Sequence, residues 1–338
     1  MKIVILGGGF GGLAAARRLR TLLSPIERRS GERHEIVLID KNSYHTYTPT
    51  LYEIAATSSE TAAYSSLKSI VTFPLADILR KSGISFIQEE VVHIDAAARI
   101  LSLAGGGQHG WDYLIIALGA ETNFFDIPGA NQHAITLKSF EDAIRIRTAV
   151  QEAVNGKLPV IVAIGGGGTT GVELAGEIEG WLCSKEICGP GKAKVVVVEG
   201  GPAILKQFPQ RIRRAAMRRL KRLGVGVVTN ERVARVNKNE IILSSEQKLP
   251  FSVFVWAGGI RAPRVVAENN ELKTAGGGCL ETTSEMRCVH KDGTPSPHVF
   301  AIGDTAYCLN RKTGGPVPAV ARAAIDQGLI AAAHIAYD

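Results

Sequence analysis

The chain has 338 residues, enough for two domains at about 150 residues each. Hydrophobic residues make up 45% and charged residues 21%, which excludes a disordered, fibrous or collagen-like chain. The net charge of +7 allows an anionic cofactor or surface as partner, but no nucleic-acid-binding signature accompanies it, so nucleic acid is set aside.

In chain order, Lys2–Leu6 reads as a short buried strand and Gly11 to Leu23 as a helix. Ser24–Arg33, with Pro25 and Gly31, reads as a loop, and Glu35–Ile39 as a strand ending in Asp40. Asn42–Ser69 reads as a long irregular stretch, followed by a helix over Pro74–Ser82. Strands are expected near Ile84–Gln88, Val91–Asp95, Ile100–Leu103 and Tyr113–Ala117. The pattern then restarts with a helix over Glu141–Asn155, strand Val160–Ile164, a helix from Gly168 to about Leu182, and strand Lys194–Val198 ending in Glu199. Helix Gln210–Leu223 precedes strands near Val225–Thr229, Glu240–Leu243 and Phe251–Trp256. Its cations and apolar residues alternate at helical spacing, as on a solvated surface helix. Strand Val299–Ile302 and helix Pro318–His334 complete the chain, in which a βαβ unit occurs twice.

Both units carry a glycine fingerprint between strand and helix. In Gly7-Gly8-Gly9-Phe10-Gly11-Gly12, the glycines Gly7, Gly9 and Gly12 satisfy G-x-G-x-x-G. The first makes the tight turn, the second lets a pyrophosphate approach the backbone, and the third lets helix and strand pack closely. The helix N-terminus offers unpaired N–H groups and a positive dipole end to phosphate. Asp40 ends the next strand, where a carboxylate holds ribose hydroxyls. Gly166, Gly168 and Gly171 repeat the pattern, and Glu199 repeats the acid. Two fingerprints imply two dinucleotides with electron transfer between them. Glu199 repels a 2′-phosphate, so the second should be NAD(H). Late in the chain, Gly303-Asp304 follows a strand and can place a carboxylate on a cofactor's polyol chain.

This ordered set resembles the two-dinucleotide-binding flavoprotein family, with its glutathione-reductase-like α/β fold, and within it the type II NADH dehydrogenases. Tyr47–Ala55, Ala117–Phe125 with Ile127-Pro128-Gly129, Gly168–Gly176 and Val255–Pro263 carry the likeness alongside the fingerprints. The resemblance implies two Rossmann-like domains. FAD would occupy residues 1–122 and 258–338, and NAD(H) an inserted domain, 123–257. It implies FAD contacts at Gly7, Gly9, Gly11, Gly12, Asp40, Lys41, Ala117, Gly119, Gly303, Asp304, Pro318 and Ala319. NADH contacts follow at Gly166, Gly168, Thr170, Gly171, Glu199, Gly258 and Gly259. Glu173 would lie near the nicotinamide as the catalytic residue, and Thr48, Pro49, Arg322 and Gln327 on the acceptor side. The implied reaction is hydride transfer from NADH to flavin N5, then two electrons to a quinone, without proton pumping. The helix near Pro318 would aim its N-terminus at the flavin.

Several residues depart from the family pattern. Asp126 stands where a Gly is usual, and Arg322 and Asp326 replace glutamines, at a spacing that lets them pair. Two alternatives stay open: a soluble NADH reductase feeding a ferredoxin- or rubredoxin-like protein, and, from the short C-terminal end, a low-turnover flavin/NAD-binding regulatory protein. The chain stops at Asp338, short of the family's membrane-seating C-terminal region. No apolar run reaches the roughly 18 residues of a membrane span, and residues 1–6 are too short for a signal peptide. The expectation is a cytoplasmic protein, peripheral on the inner face of the cell membrane if the intact chain has an anchor, and a possible homodimer. The five Cys are expected to be unpaired, Cys183 and Cys188 included, and no cluster has metal-ligand spacing.

Overall fold

Short aliphatic runs pair in parallel to build two sheets of the same design. A computed structural model describes residues 1–58, 62–156, 159–189, 191–311 and 313–338. Unit 1 comprises Met1–His45, Phe73–Glu121 and Ile260–Asp338, and unit 2 comprises Thr46–Thr72 and Thr122–Gly259.

In unit 1 the strands Ser85–Gln88, Glu35–Asp40, Lys2–Leu6, Tyr113–Ile116 and Pro295–Ala301 lie side by side in parallel. Arg287–Val289, Leu280–Thr282 and Ala306–Cys308 extend them to eight strands. Alternation along Lys2–Leu6 decides the layers. Ile3 and Ile5 pack against Ala15 and Leu19 of helix Phe10–Ser30 and Ala331 and Ile335 of helix Ala321–Tyr337. Val4 and Leu6 point to the other face, against Val91, Ile94, Leu101 and Trp111. Each fully buried aliphatic side chain contributes roughly 1.5–3 kcal/mol.

Unit 2 repeats the order with Gly226–Thr229, Ala193–Glu199, Val160–Gly165 and Val253–Trp256, all parallel. In both units a three-stranded antiparallel meander, 91–110 or 233–250, precedes the strand that returns to the sheet. Helix Gln210–Leu223 buries Leu220 and leaves Arg211, Arg214, Arg218, Arg219, Lys221 and Arg222 exposed.

Several elements differ from the sequence-based expectation. Helix Phe10–Ser30 runs through Pro25 and stops at Gly31, which takes a left-handed conformation. Arg20, bonded to Glu27 at 2.9 Å and to His34 O, ties together the stretch expected to be a loop. Asn42–Ser69 contains helices Leu51–Ala56 and Tyr64–Val71; residues 59–61 lie outside the described residues. Their Leu51, Ile54, Ala55, Leu67 and Val71 pack with Phe140, Ile146 and Leu174, so this segment belongs to unit 2 and not to the first domain. Buried Arg147 donates to Ser58 O at 2.9 Å and Ala62 O at 2.7 Å. The helix expected over Pro74–Ser82 shrinks to Leu75–Ile78, and the last helix starts at Ala321 rather than Pro318. Cys183 and Cys188, expected to be unpaired, form a disulfide that the topology favours, since helix end and incoming strand bring their Cα atoms to 4.8 Å.

Candidate dinucleotide sites

In unit 1, strand Lys2–Leu6 ends in Gly7 at φ +102°, a conformation costly for any residue with a Cβ. A Cβ on Gly7 would lie 2.3 Å from Ala117 O, and one on Gly12 would lie 1.9 Å from Gly7 O. These approaches seat the start of helix Phe10–Ser30 directly on the strand. At Gly9, the N-cap, nothing stands within 4 Å of an added Cβ. The first turn carries no acid, so its positive dipole end suits an anion. Asp40 accepts from Gly8 N at 2.6 Å and from Asn42 N at 2.7 Å, which fixes its carboxylate beside the glycine loop. Its remaining lone pairs suit hydroxyl donors. Lys41 is exposed and loosely paired with Glu90 at 3.5 Å.

The late Gly-Asp turn joins this site. Gly303, at φ +69°, donates its N–H to Gln327 Oε1 at 2.7 Å, and Thr305 Oγ1 donates to Gly119 O at 2.9 Å. Helix Ala321–Tyr337 lies close to the fingerprint, since a Cβ on Gly328 would come within 2.5 Å of Gly11 O. Gln327, expected on the acceptor side, is buried and accepts from the Gly303 turn. Arg322 is exposed and pairs with Asp326 at 2.9 Å, as their spacing implied. Pro318 and Ala319 are exposed just ahead of the helix. Sequence reasoning missed His45. It is buried edge-on to Phe10, and its Nδ1 lies 3.0 Å from Gly8 O. A carbonyl only accepts, so the proton sits on Nδ1. Burial holds the ring's pKa below the usual histidine value, against the opposing effect of Gly8 O.

Unit 2 reproduces the geometry. Gly166 sits at φ +115°; its Cβ would meet Ala257 O at 2.5 Å, and a Cβ on Gly171 would meet Gly166 O at 2.0 Å. Gly168, the N-cap of helix Thr169–Ser184, is open to 4 Å. Thr170, in its first turn, is half-buried. Glu199 accepts from Gly167 N at 2.7 Å and Gly201 N at 2.6 Å, matching Asp40 bond for bond. The amides of Gly8 and Gly167 were not singled out from the sequence, although each is the residue after the first fingerprint glycine.

Gly258 and Gly259 are backed by rings: added Cβ atoms would strike Trp256 at 2.6 Å and Phe125 at 2.5 Å. Phe125 and Asp126 both adopt positive φ, of 51° and 55°, which accounts for a glycine being usual at Asp126. Glu173 stands just past the first turn of Thr169–Ser184, where partial desolvation raises its carboxyl pKa. Thr48 and Pro49 lie exposed in the 3₁₀ turn Thr48–Thr50 of unit 2.

An open glycine N-cap, the positive end of a helix dipole and an adjacent anchored carboxylate fit a pyrophosphate and its ribose in each unit. The arrangement defines a protein of two dinucleotide sites. Residues 1–328 match the family model of the pyridine nucleotide-disulphide oxidoreductases, and the chain belongs to that family. Its cofactors are accordingly FAD and NAD(H). It is 28% identical to a type II NADH:quinone oxidoreductase of Staphylococcus aureus, over 99% of this chain and 81% of the relative. It is also similar to NDH2 of Plasmodium falciparum in complex with NADH, with TM-score 0.75 and 26% identity. That match covers 91% of this chain and 65% of the Plasmodium chain. The sulfide:quinone oxidoreductase of Aquifex aeolicus, at TM-score 0.81 and 21% identity, shares the fold over 99% of this chain and 76% of its own.

Proposed function

We propose that the chain is an NADH:quinone oxidoreductase in which unit 1 holds FAD and unit 2 holds NADH. The duplicated site carries this reading: two open fingerprints, each with a carboxylate clamped by the same loop amide, in one chain of this family. Bound FAD supplies the redox chemistry, taking a hydride from NADH and releasing two electrons to the acceptor without proton pumping.

The protein's part is to bind and orient. Gly7, Gly9, Gly11 and Gly12 would receive the FAD pyrophosphate and Asp40 its ribose. Lys41, Ala117, Gly119, Gly303, Asp304, Pro318 and Ala319 complete that site. Gly166, Gly168, Thr170 and Gly171 would receive the NADH pyrophosphate and Glu199 its ribose, with Gly258 and Gly259 giving backbone access. Glu173 orients the nicotinamide or holds a proton beside it. Thr48, Pro49 and Arg322 serve the acceptor side, and Gln327 acts through the Gly303 turn.

A quinone dissolves in lipid, which favours a peripheral position on the inner face of the cell membrane. No helix among the described residues is long and apolar enough to cross a membrane.

Glu199→Ala should lower the preference for NADH over NADPH, as the ratio of kcat/KM values, by about tenfold through loss of the ribose hydrogen bonds. An unchanged ratio would remove Glu199 from the assignment. The acceptor is tested by steady-state NADH oxidation with a soluble quinone and, separately, with a small iron–sulfur protein. The quinone should be reduced faster; preference for the iron–sulfur protein would replace the quinone reading with a soluble reductase.

A further inference from the structure

The helix that carries the second fingerprint ends at a group the dinucleotide site does not use. Cys183 lies in the last turn of Thr169–Ser184, and Cys188 lies in the turn before strand Ala193–Glu199. The two are joined as a disulfide and are both half-buried beside the exposed residues Ser184, Lys185 and Glu186. One turn before Cys183, on the same helix face, stands Glu179. It is only 2% exposed. One oxygen accepts from Val195 N at 2.9 Å, and a carboxylate oxygen and both sulfurs lie within 4.8 Å of one another.

A buried carboxyl is costly, and a leucine or glutamine would fill such a position more cheaply. Burial raises the pKa of Glu179, so its proton is retained to higher pH than in an exposed glutamate. The remaining cysteines, Cys279, Cys288 and Cys308, are free and lie in unit 1.

We propose that Cys183–Cys188 is a redox-active disulfide, opened by thiol–disulfide exchange with an external protein dithiol and supplied with a proton by Glu179. A thiolate of the incoming dithiol attacks Cys188 Sγ. A mixed disulfide forms as the Cys183–Cys188 bond breaks. Cys183 leaves as a thiolate one turn from Glu179 and takes the carboxyl proton, which Glu179 regains from solvent. The second thiolate of the dithiol then attacks its own sulfur in the mixed disulfide and expels Cys188, which is protonated from water. The external dithiol is oxidised to a disulfide, and the pair gains two electrons and two protons.

The full chain is first equilibrated with oxidised glutathione and then exposed to reduced thioredoxin. Samples are quenched in acid, unfolded and alkylated, and thiols are counted by intact mass. Three thiols are expected before reduction and five after, from the five Cys of the chain and its three free ones. Cys188→Ser should give a count that thioredoxin does not change once glutathione adducts are excluded by mass. Glu179→Gln should slow the opening at least about tenfold, as loss of a positioned proton donor does, and Glu179→Asp should recover most of the rate. Five thiols after oxidation, or an unchanged rate in Glu179→Gln, would overturn the proposal. So would stoichiometric zinc in the reduced protein that is lost with Cys183→Ser, because the cluster would then be a metal site.

Discussion

Gly12→Ala should yield a protein that retains less than about a tenth of the wild-type FAD, since overpacking at a backbone contact forces the elements apart. The new methyl would lie 1.9 Å from Gly7 O. That oxygen belongs to the backbone and cannot rotate away, so helix Phe10–Ser30 must lift from strand Lys2–Leu6. Its N-terminal N–H groups move with it. The strain costs about 1–3 kcal/mol of stability, and a lower urea midpoint should accompany the loss of colour.

Gly9→Ala separates binding from packing. Nothing lies within 4 Å of its added Cβ, so the urea midpoint should stay near wild type while the methyl occupies the space of the pyrophosphate. Gly171→Ala, whose Cβ would meet Gly166 O at 2.0 Å, should cost NADH affinity while the protein stays yellow. A Gly12→Ala protein with full flavin content would mean that the first fingerprint does not hold FAD.

The second large effect belongs to Gln327. Gln327→Leu should weaken FAD binding about tenfold, because it leaves the part-buried Gly303 N–H without its acceptor. Gln327→Glu preserves an acceptor oxygen and should recover most of the affinity. Flavin fluorescence on dilution reads the released FAD. An unchanged FAD affinity with an altered KM for quinone would return Gln327 to the acceptor side.

Local chemistry explains what was legible from sequence. Strand Lys2–Leu6, its fingerprint and Asp40 follow from rules that act within a few residues, and the structure adds the Gly8 amide that clamps the acid. The second unit follows for the same reason, and helix Gln210–Leu223 keeps its expected bounds because its cations and apolar residues sort at helical spacing. Long-range partners explain the failures. Pro25 signals a break, yet Arg20 and Glu27, about two turns apart, bridge it. Tyr64–Val71 places its apolar residues at helical spacing but spans only eight residues, and becomes a helix because Leu67 and Val71 find Phe140 and Ile146 far along the chain. Arg147 holds Ser58 and Ala62 across 89 and 85 residues, with no local sign of it. Gln327 was noticed for its resemblance, but its partner Gly303 lies 24 residues away, and only the fold shows the bond.

Anaerobic titration of the purified protein with NADH, followed by a soluble quinone, tests whether electrons pass from NADH through FAD to a quinone. The protein should be yellow, with flavin absorbance bleached by about one equivalent of NADH, one hydride per flavin, and restored when quinone is added. A protein that takes up no FAD, or whose bound flavin stays oxidised in excess NADH, would contradict it.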